Sequence, residues 1–200
     1  VTTLLLVRHA TTAATGKRLG GWTPGIDLDA NGRAQADQVA ERLASAEIAA
    51  VYASPLERTM QTAQAIAGPH GLRVRRRRDL GEVDYGQWTD QPLSQLRRRK
   101  TWASIQTTPS RFVFPGGEAI RSAQARMVEA IERIAAEHPD ATIVLVSHAD
   151  VIKAAIAHYL GMPLDTFQRL NVDPASTTVL ELASDGAAFL RAMNLPPKGA

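Results

Sequence analysis

Cysteine is absent from the 200 residues, which removes disulfides, thiolate metal ligands and a cysteine nucleophile together. A reducing compartment is allowed, and any chemistry must use other groups. No apolar run approaches the roughly 20 residues of a membrane span, and the first residues read as a short strand rather than a charged region leading into a signal core. The expectation is a soluble, cytoplasmic protein. The Gly-x-x-x-x-Gly-Lys-Ser/Thr pattern is missing, which excludes a P-loop kinase, and the Gly-x-Ser-x-Gly elbow of a serine hydrolase is missing too. Five scattered histidines give no dense ligand cluster, so neither a metal nor a cofactor is expected.

The net charge is only +3, yet the arginines cluster at Arg73, Arg75–Arg78 and Arg97–Arg99 with Lys100. Such runs can be nucleic-acid patches. With no RNA-binding aromatic signature and no zinc-finger spacing beside them, the first reads as an edge strand with solvated arginines and the second as an exposed helix face. The 44% hydrophobic fraction suits one domain with a proper core over residues 1–195, with a specificity insertion around 88–121 and a flexible tail at 196–200.

Two apolar runs end alike. Leu4–Val7 leads into Arg8-His9, and Ile143–Val146 leads into Ser147-His148. Short, continuously apolar runs are buried strands. If the two are neighbours in one parallel sheet, both imidazoles reach the carboxyl edge where open α/β folds build sites. A third strand is expected at Ile48–Ala53 and a short alternating one at Leu72–Arg76. Helical spacing appears after Gly32 (Ala36, Val39, Ala40, Leu43) and from Glu118 (Ile120, Ala123, Met127, Ala130, Ile131, Ile134). Ser54-Pro55-Leu56-Glu57 reads as an N-cap with proline at the first helical position, which brings Arg58 into the first turn. Pro92 to about Ile105 is expected to be helical. Asp150 is expected to cap a helix closed by Gly161, and a hairpin turns at Ser184-Asp185-Gly186. Strand–helix alternation gives a three-layer α/β/α fold with a mostly parallel central sheet and an antiparallel edge strand.

The strand ends deliver Arg8, His9, Arg58, Glu82 and His148 to one rim. Two guanidiniums, two imidazoles and a carboxyl suit a phosphate: arginine forks match its oxygens, and phosphoryl transfer needs mainly positioning and charge neutralisation. A neutral histidine nitrogen attacks phosphorus, and a carboxylic acid protonates the leaving alkoxide. Asp84 and Asp150 are competing acids. Trp22, Trp88 and Trp102 stand between pocket lining and ordinary packing. His70, His138 and His158 read as structural.

Five motifs in order extend this reading. Arg8-His9-Ala10-Thr11-Thr12, Ala53–Thr59 through Gln61-Thr62-Ala63, Leu80–Gly86, Pro115-Gly116-Gly117-Glu118 and Val146-Ser147-His148-Ala149 together resemble the signatures of the histidine phosphatase superfamily, also called phosphoglycerate mutase-like. The resemblance implies that His9 is the phosphorylated nucleophile, that Arg8, Arg58 and His148 hold the phosphoryl group, and that Glu82 is the proton donor. It further implies substrate contacts from Thr15, Gln35 and Ala149. Ala10, Thr15 and Ala149-Asp150 depart from the family's usual glycine, asparagine and Gly-Gly.

The expected function is phosphomonoester hydrolysis through a phosphohistidine, acting on a small anionic phosphorylated metabolite and releasing inorganic phosphate, with no nucleic-acid or membrane partner and a homodimer allowed. Gly81-Glu82-Val83 lacks the Asn-Glu-Arg context of the mutases, which favours hydrolysis over an intramolecular phosphotransferase (isomerase). A basic RNA- or protein-binding module without catalysis is the alternative from another class. Arg97–Lys100, Arg111 and Arg121 are the candidates for attracting an anionic substrate.

Overall fold

β-Branched and leucine-rich segments supply the centre of the molecule, which a computed structural model describes over residues 1–197. Strands β1 (Thr2–Arg8), β2 (Ile48–Ala53), β3 (Val74–Arg76), β4 (Thr142–Ser147), β5 (Thr177–Leu182) and β6 (Ala188–Leu195) form one six-stranded sheet in the order β3-β2-β4-β1-β5-β6. The first four in that order run parallel, whereas β5 lies antiparallel to β1 and β6 antiparallel to β5. The expected hairpin thus supplies the antiparallel edge of the sheet with both of its strands. Lys198–Ala200 of the expected tail lie outside the described residues.

Alternation along the strands sorts side chains onto two faces. Leu5, Val7, Val51, Ala53, Val144 and Val146 pack beneath helices α1 (Ala30–Leu43) and α2 (Glu57–Ala67). Leu4, Leu6, Tyr52, Ile143 and Leu145 pack against α5 (Ile120–Glu137) and α6 (Ala149–Tyr159). The result is the expected three-layer α/β/α architecture. A register shift between Ile48 and Ala50 puts those two residues on opposite faces. Each fully buried Val, Leu or Ile contributes about 1.5–3 kcal/mol, so strands covered on both faces anchor the fold.

Between β3 and α5 the chain covers the sheet's carboxyl edge with the loop Leu80–Gly86, which carries Glu82, and two short helices, α3 (Leu93–Leu96) and α4 (Trp102–Thr107). The continuous helix expected from Pro92 to Ile105 is broken at Arg97–Thr101, where Trp102 turns inward to stack on Trp88 with ring centroids 6.2 Å apart. Phe112 and Phe114 complete this aromatic cluster, so Trp88 and Trp102 are packing residues. β3 is the expected edge strand with exposed Arg75 and Arg76, beginning at Val74 rather than Leu72. Among the described residues, no helix is long and apolar enough to cross a membrane.

Three expected helix starts are displaced. α2 begins at Glu57 with Leu56 at its cap, because Ser54 still donates its N–H to the Val146 carbonyl and belongs to the sheet. α5 begins at Ile120, leaving Glu118 outside. α6 begins at Ala149 with His148 at its cap, so Asp150 lies within the first turn.

Candidate active site

Parallel pairing of β1 with β4 sets Arg8 opposite Ser147, so the next residue on each strand is a histidine at the same edge. The His9 N–H bonds the Ser147 carbonyl at 3.0 Å, and the two rings meet edge to face with centroids 5.2 Å apart. His9 is 7% exposed and opens onto a cavity of about 240 Å3; His148 is fully buried behind it and is not on the cavity wall.

Hydrogen bonds define both tautomers. His9 Nδ1 lies 2.8 Å from the Ala10 carbonyl, which can only accept, so Nδ1 carries the proton and Nε2 keeps a free lone pair. Burial, then the Arg58 and Arg8 charges, push the His9 pKa well below the usual imidazole range. His148 Nδ1 accepts from Arg58 Nη2 at 3.4 Å, and its Nε2 donates to Ser54 Oγ at 2.9 Å. Burial and then Arg58 hold this ring neutral as well. Ser54 is thus the support of a site histidine rather than a helix cap.

Two guanidiniums face the same space. Arg58, from the first turn of α2 and 3% exposed, gives Nη2 to the Gly21 carbonyl at 2.8 Å; Arg8 gives Nη1 to the Val172 carbonyl at 2.7 Å. Arg58 Nη1 and Arg8 Nε are buried and find no hydrogen-bond partner among the described residues. Orphaned charged donors are expensive without an acceptor, and an oxyanion supplies one. Burial lowers both arginine pKa values, yet a guanidinium keeps its charge at any physiological pH.

Glu82, 8% exposed, hangs from the loop after β3 onto the cavity wall. Its Oε1 accepts the Val83 N–H at 2.9 Å, while Oε2 stands 3.7 Å from His148 Nδ1. Burial first, and then the Asp150 charge, raise its pKa to about 7, against the pull of Arg58 and Arg8. Such a carboxyl carries a proton near neutrality. The loop is pinned from behind: Trp22 Nε1 donates to the Glu82 carbonyl at 2.8 Å, and Arg126 donates to the carbonyls of Asp79, Gly81 and Glu82. Glu118 accepts from Asp84 N–H at 2.9 Å and Arg126 Nη2 at 2.7 Å, joining the Pro115–Glu118 motif to this loop. Their backbones touch so closely that a Cβ on Gly117 would lie 2.2 Å from the Asp84 carbonyl oxygen, and Gly86 needs φ +50°.

The competing acids separate clearly. The exposed Asp84 side chain accepts its own loop's Gly86 N–H and does not line the cavity. Asp150 does line it, but its oxygens are taken by Tyr85 O–H at 3.0 Å and Lys153 Nζ at 2.9 Å. Burial alone pushes Asp150 up; Lys153, Tyr85 and Arg8 outweigh that and leave its pKa lowered.

Of the remaining expected contacts, Thr15 and Ala149 line the cavity. Gln35 does not: its Oε1 accepts the Thr11 N–H at 3.0 Å, steadying the loop after His9. Arg97–Lys100 are exposed and away from the cavity, where Arg99 covers the Trp88 ring; the 88–121 region contributes Leu93 to the wall. Three contributors were not singled out in the sequence. Tyr85 and Arg18 line the cavity, and Thr62 accepts the Ala10 N–H at 3.1 Å. Tyr85 sits inside the Leu80–Gly86 motif and Thr62 inside the Ala53–Ala63 motif, whose integrity is the signal that points to them.

The description of the histidine phosphatase superfamily, branch 1, matches residues 4–195. Phosphoserine phosphatase 1 of Hydrogenobacter thermophilus is 30% identical over 186 residues, covering 90% of this chain and 86% of that protein. The structure of Bacillus stearothermophilus YhfR superposes with a TM-score of 0.91 at 26% identity, covering 98% of each chain. Mycobacterial glucosyl-3-phosphoglycerate phosphatase gives 0.87 at 26% identity, covering 96% of this chain and 98% of that one.

Proposed function

Since the chain belongs to branch 1 of the histidine phosphatase superfamily, we propose that it is a phosphomonoester hydrolase working through a phosphohistidine on His9, with a small anionic phosphorylated metabolite as substrate. The observation that carries the reading is the tautomer of His9: its Nδ1 proton is committed to the Ala10 carbonyl, and Nε2 opens with a free lone pair onto a cavity walled by Arg8 and Arg58.

In the first step Nε2 attacks phosphorus while Arg8 and Arg58 neutralise the equatorial oxygens. The P–O ester bond breaks, and the leaving alkoxide takes the proton held by Glu82. Water then attacks the phosphohistidine, gives its proton to the Glu82 carboxylate, and the P–N bond breaks with its electron pair returning to Nε2. His148 serves from behind, orienting Arg58 through Nδ1.

A cavity of about 240 Å3 suits a phosphoryl group with a compact alcohol. Relatives named for phosphoserine and for glucosyl-3-phosphoglycerate fit that class. In this reading residues 1–195 act as one catalytic domain, with Leu93 and the Arg18 loop shaping the leaving-group side. The same reading places the enzyme in the cytoplasm, gives it no nucleic-acid partner and allows a homodimer. The test is inorganic phosphate release from a panel of phosphomonoesters, including phosphoserine, 3-phosphoglycerate and p-nitrophenyl phosphate, by wild type and His9→Ala. Release that vanishes in the variant is expected. Isomerised phosphoglycerate without release would establish the mutase, and salt-sensitive RNA affinity without turnover would establish the binding module.

A further inference from the structure

Two carboxyl groups on one small cavity wall cannot both be ionised cheaply, and the surroundings of Glu82 and Asp150 differ enough to decide which keeps the proton. Asp150 has a donor on each oxygen, Lys153 Nζ on Oδ1 and Tyr85 O–H on Oδ2, and it sits in the first turn of α6, where helical N–H groups favour negative charge. Glu82 has one donor, the Val83 N–H on Oε1. Its Oε2 faces His148 Nδ1, which already accepts from Arg58.

We propose that Asp150 is a positioning residue for the proton donor: held ionised by Lys153 and Tyr85, it keeps the proton on Glu82 Oε2 until a leaving group arrives. The inference rests on the phosphatase reading for its catalytic meaning, but the placement of the proton does not. Every charged neighbour of Glu82 takes part in the balance. Arg58 from α2 and Arg8 from β1 favour its ionised form, and Arg126 from α5, on the Glu82 carbonyl at 3.2 Å, adds positive charge behind the loop; Asp150 from α6 opposes ionisation, moderated by Lys153 one turn further on; His9 and His148 are neutral, and Tyr85 is held protonated by burial and by Asp150. The Glu82 pKa, raised to about 7, agrees with this division. A glycine in place of Asp150 would leave Tyr85 O–H and Lys153 without this acceptor and would take away the charge that holds the Glu82 proton.

The experiment follows the Glu82 carboxyl by carbon-13 NMR through a pH titration, alongside the pH profile of kcat for an ester with a poor leaving group. Asp150→Asn keeps an acceptor for Tyr85 and removes the charge. It is expected to lower the Glu82 midpoint by roughly one pH unit and to carry the alkaline limb of kcat down with it. In Lys153→Met the Asp150 carboxylate keeps the Tyr85 O–H and its place in the first turn of α6 and stays ionised, but its charge is less compensated, so both readouts are expected to move upward. A purely structural role would not produce opposite shifts. A midpoint unmoved in Asp150→Asn, or moved the same way in both variants, would overturn the proposal. Opposite midpoint shifts in a protein that releases no phosphate would overturn the phosphatase reading and confirm the placement of the proton.

Discussion

Replacing Glu82 by glutamine would remove the proposed proton donor, and the raised pKa of its carboxyl predicts that the exchange stabilises the fold. A carboxyl whose pKa is raised from the ordinary 4.5 to about 7 holds a proton in the native state that the unfolded chain has already released. Its contribution is fully present below 4.5 and is lost as pH rises through about 7. The gap corresponds to about 3 kcal/mol, and with Glu82 only 8% exposed little of it is screened. Glutamine mimics the protonated side chain and keeps an oxygen for the Val83 N–H. Urea unfolding of Glu82→Gln should therefore show added stability of about 3 kcal/mol at about pH 8.5, shrinking toward zero as pH approaches about 4.5. Turnover of poor leaving groups should fall about 10²–10⁴-fold, and p-nitrophenyl phosphate should suffer less. A stability difference constant across the pH range would mean that Glu82 is ionised throughout, and the reasoning about the donor would collapse.

Arg58→Met should weaken competitive inhibition by inorganic phosphate roughly 10²-fold without lowering thermal stability, because a buried guanidinium short of partners costs the fold while serving the ligand. Lower stability with unchanged inhibition would make Arg58 a structural cation. Ala175 has φ +58° while its N–H bonds the Arg8 and His9 carbonyls. Ala175→Gly should therefore raise the unfolding free energy by roughly 1 kcal/mol, and a loss of stability would show that the methyl's packing outweighs the backbone strain.

The strands were the most legible part of the sequence. Ile48–Ala53 and Thr142–Ser147 follow directly from short apolar runs, and the convergence of His9 with His148 follows from the parallel arrangement those runs imply. Helix starts were misread for one recurring reason. Ser54, Glu118 and Asp150 are all good residues for a helix N-terminus, and all three are spent elsewhere: on the His148 ring, on the Asp84 and Arg126 N–H groups, and on Tyr85 with Lys153. Local capping preference is worth about 1 kcal/mol, and a tertiary bond to a buried partner overrides it. The helix expected from Pro92 to about Ile105 was legible but its break was not, because the boundary is fixed by Trp102 stacking on Trp88, a contact with no local periodicity. The same packing leaves the Arg97–Lys100 charges in solvent rather than at the cavity.

The central position of β1 has a consequence for biosynthesis. Its hydrogen-bonding neighbours on both sides, β4 and β5, come from the far end of the chain, with Leu4 opposite Ile143 on one side and Leu180 on the other. A ribosome emits β1 long before either partner exists, so this greasy segment must wait unpaired and exposed to chaperones or to like segments of other nascent chains. His9 and His148 meet only when that wait ends. The pairing of the two imidazoles thus depends on a long-range closure between β1 and β4, and a chain released before β4 has emerged lacks His148 and the strand that places it beside His9.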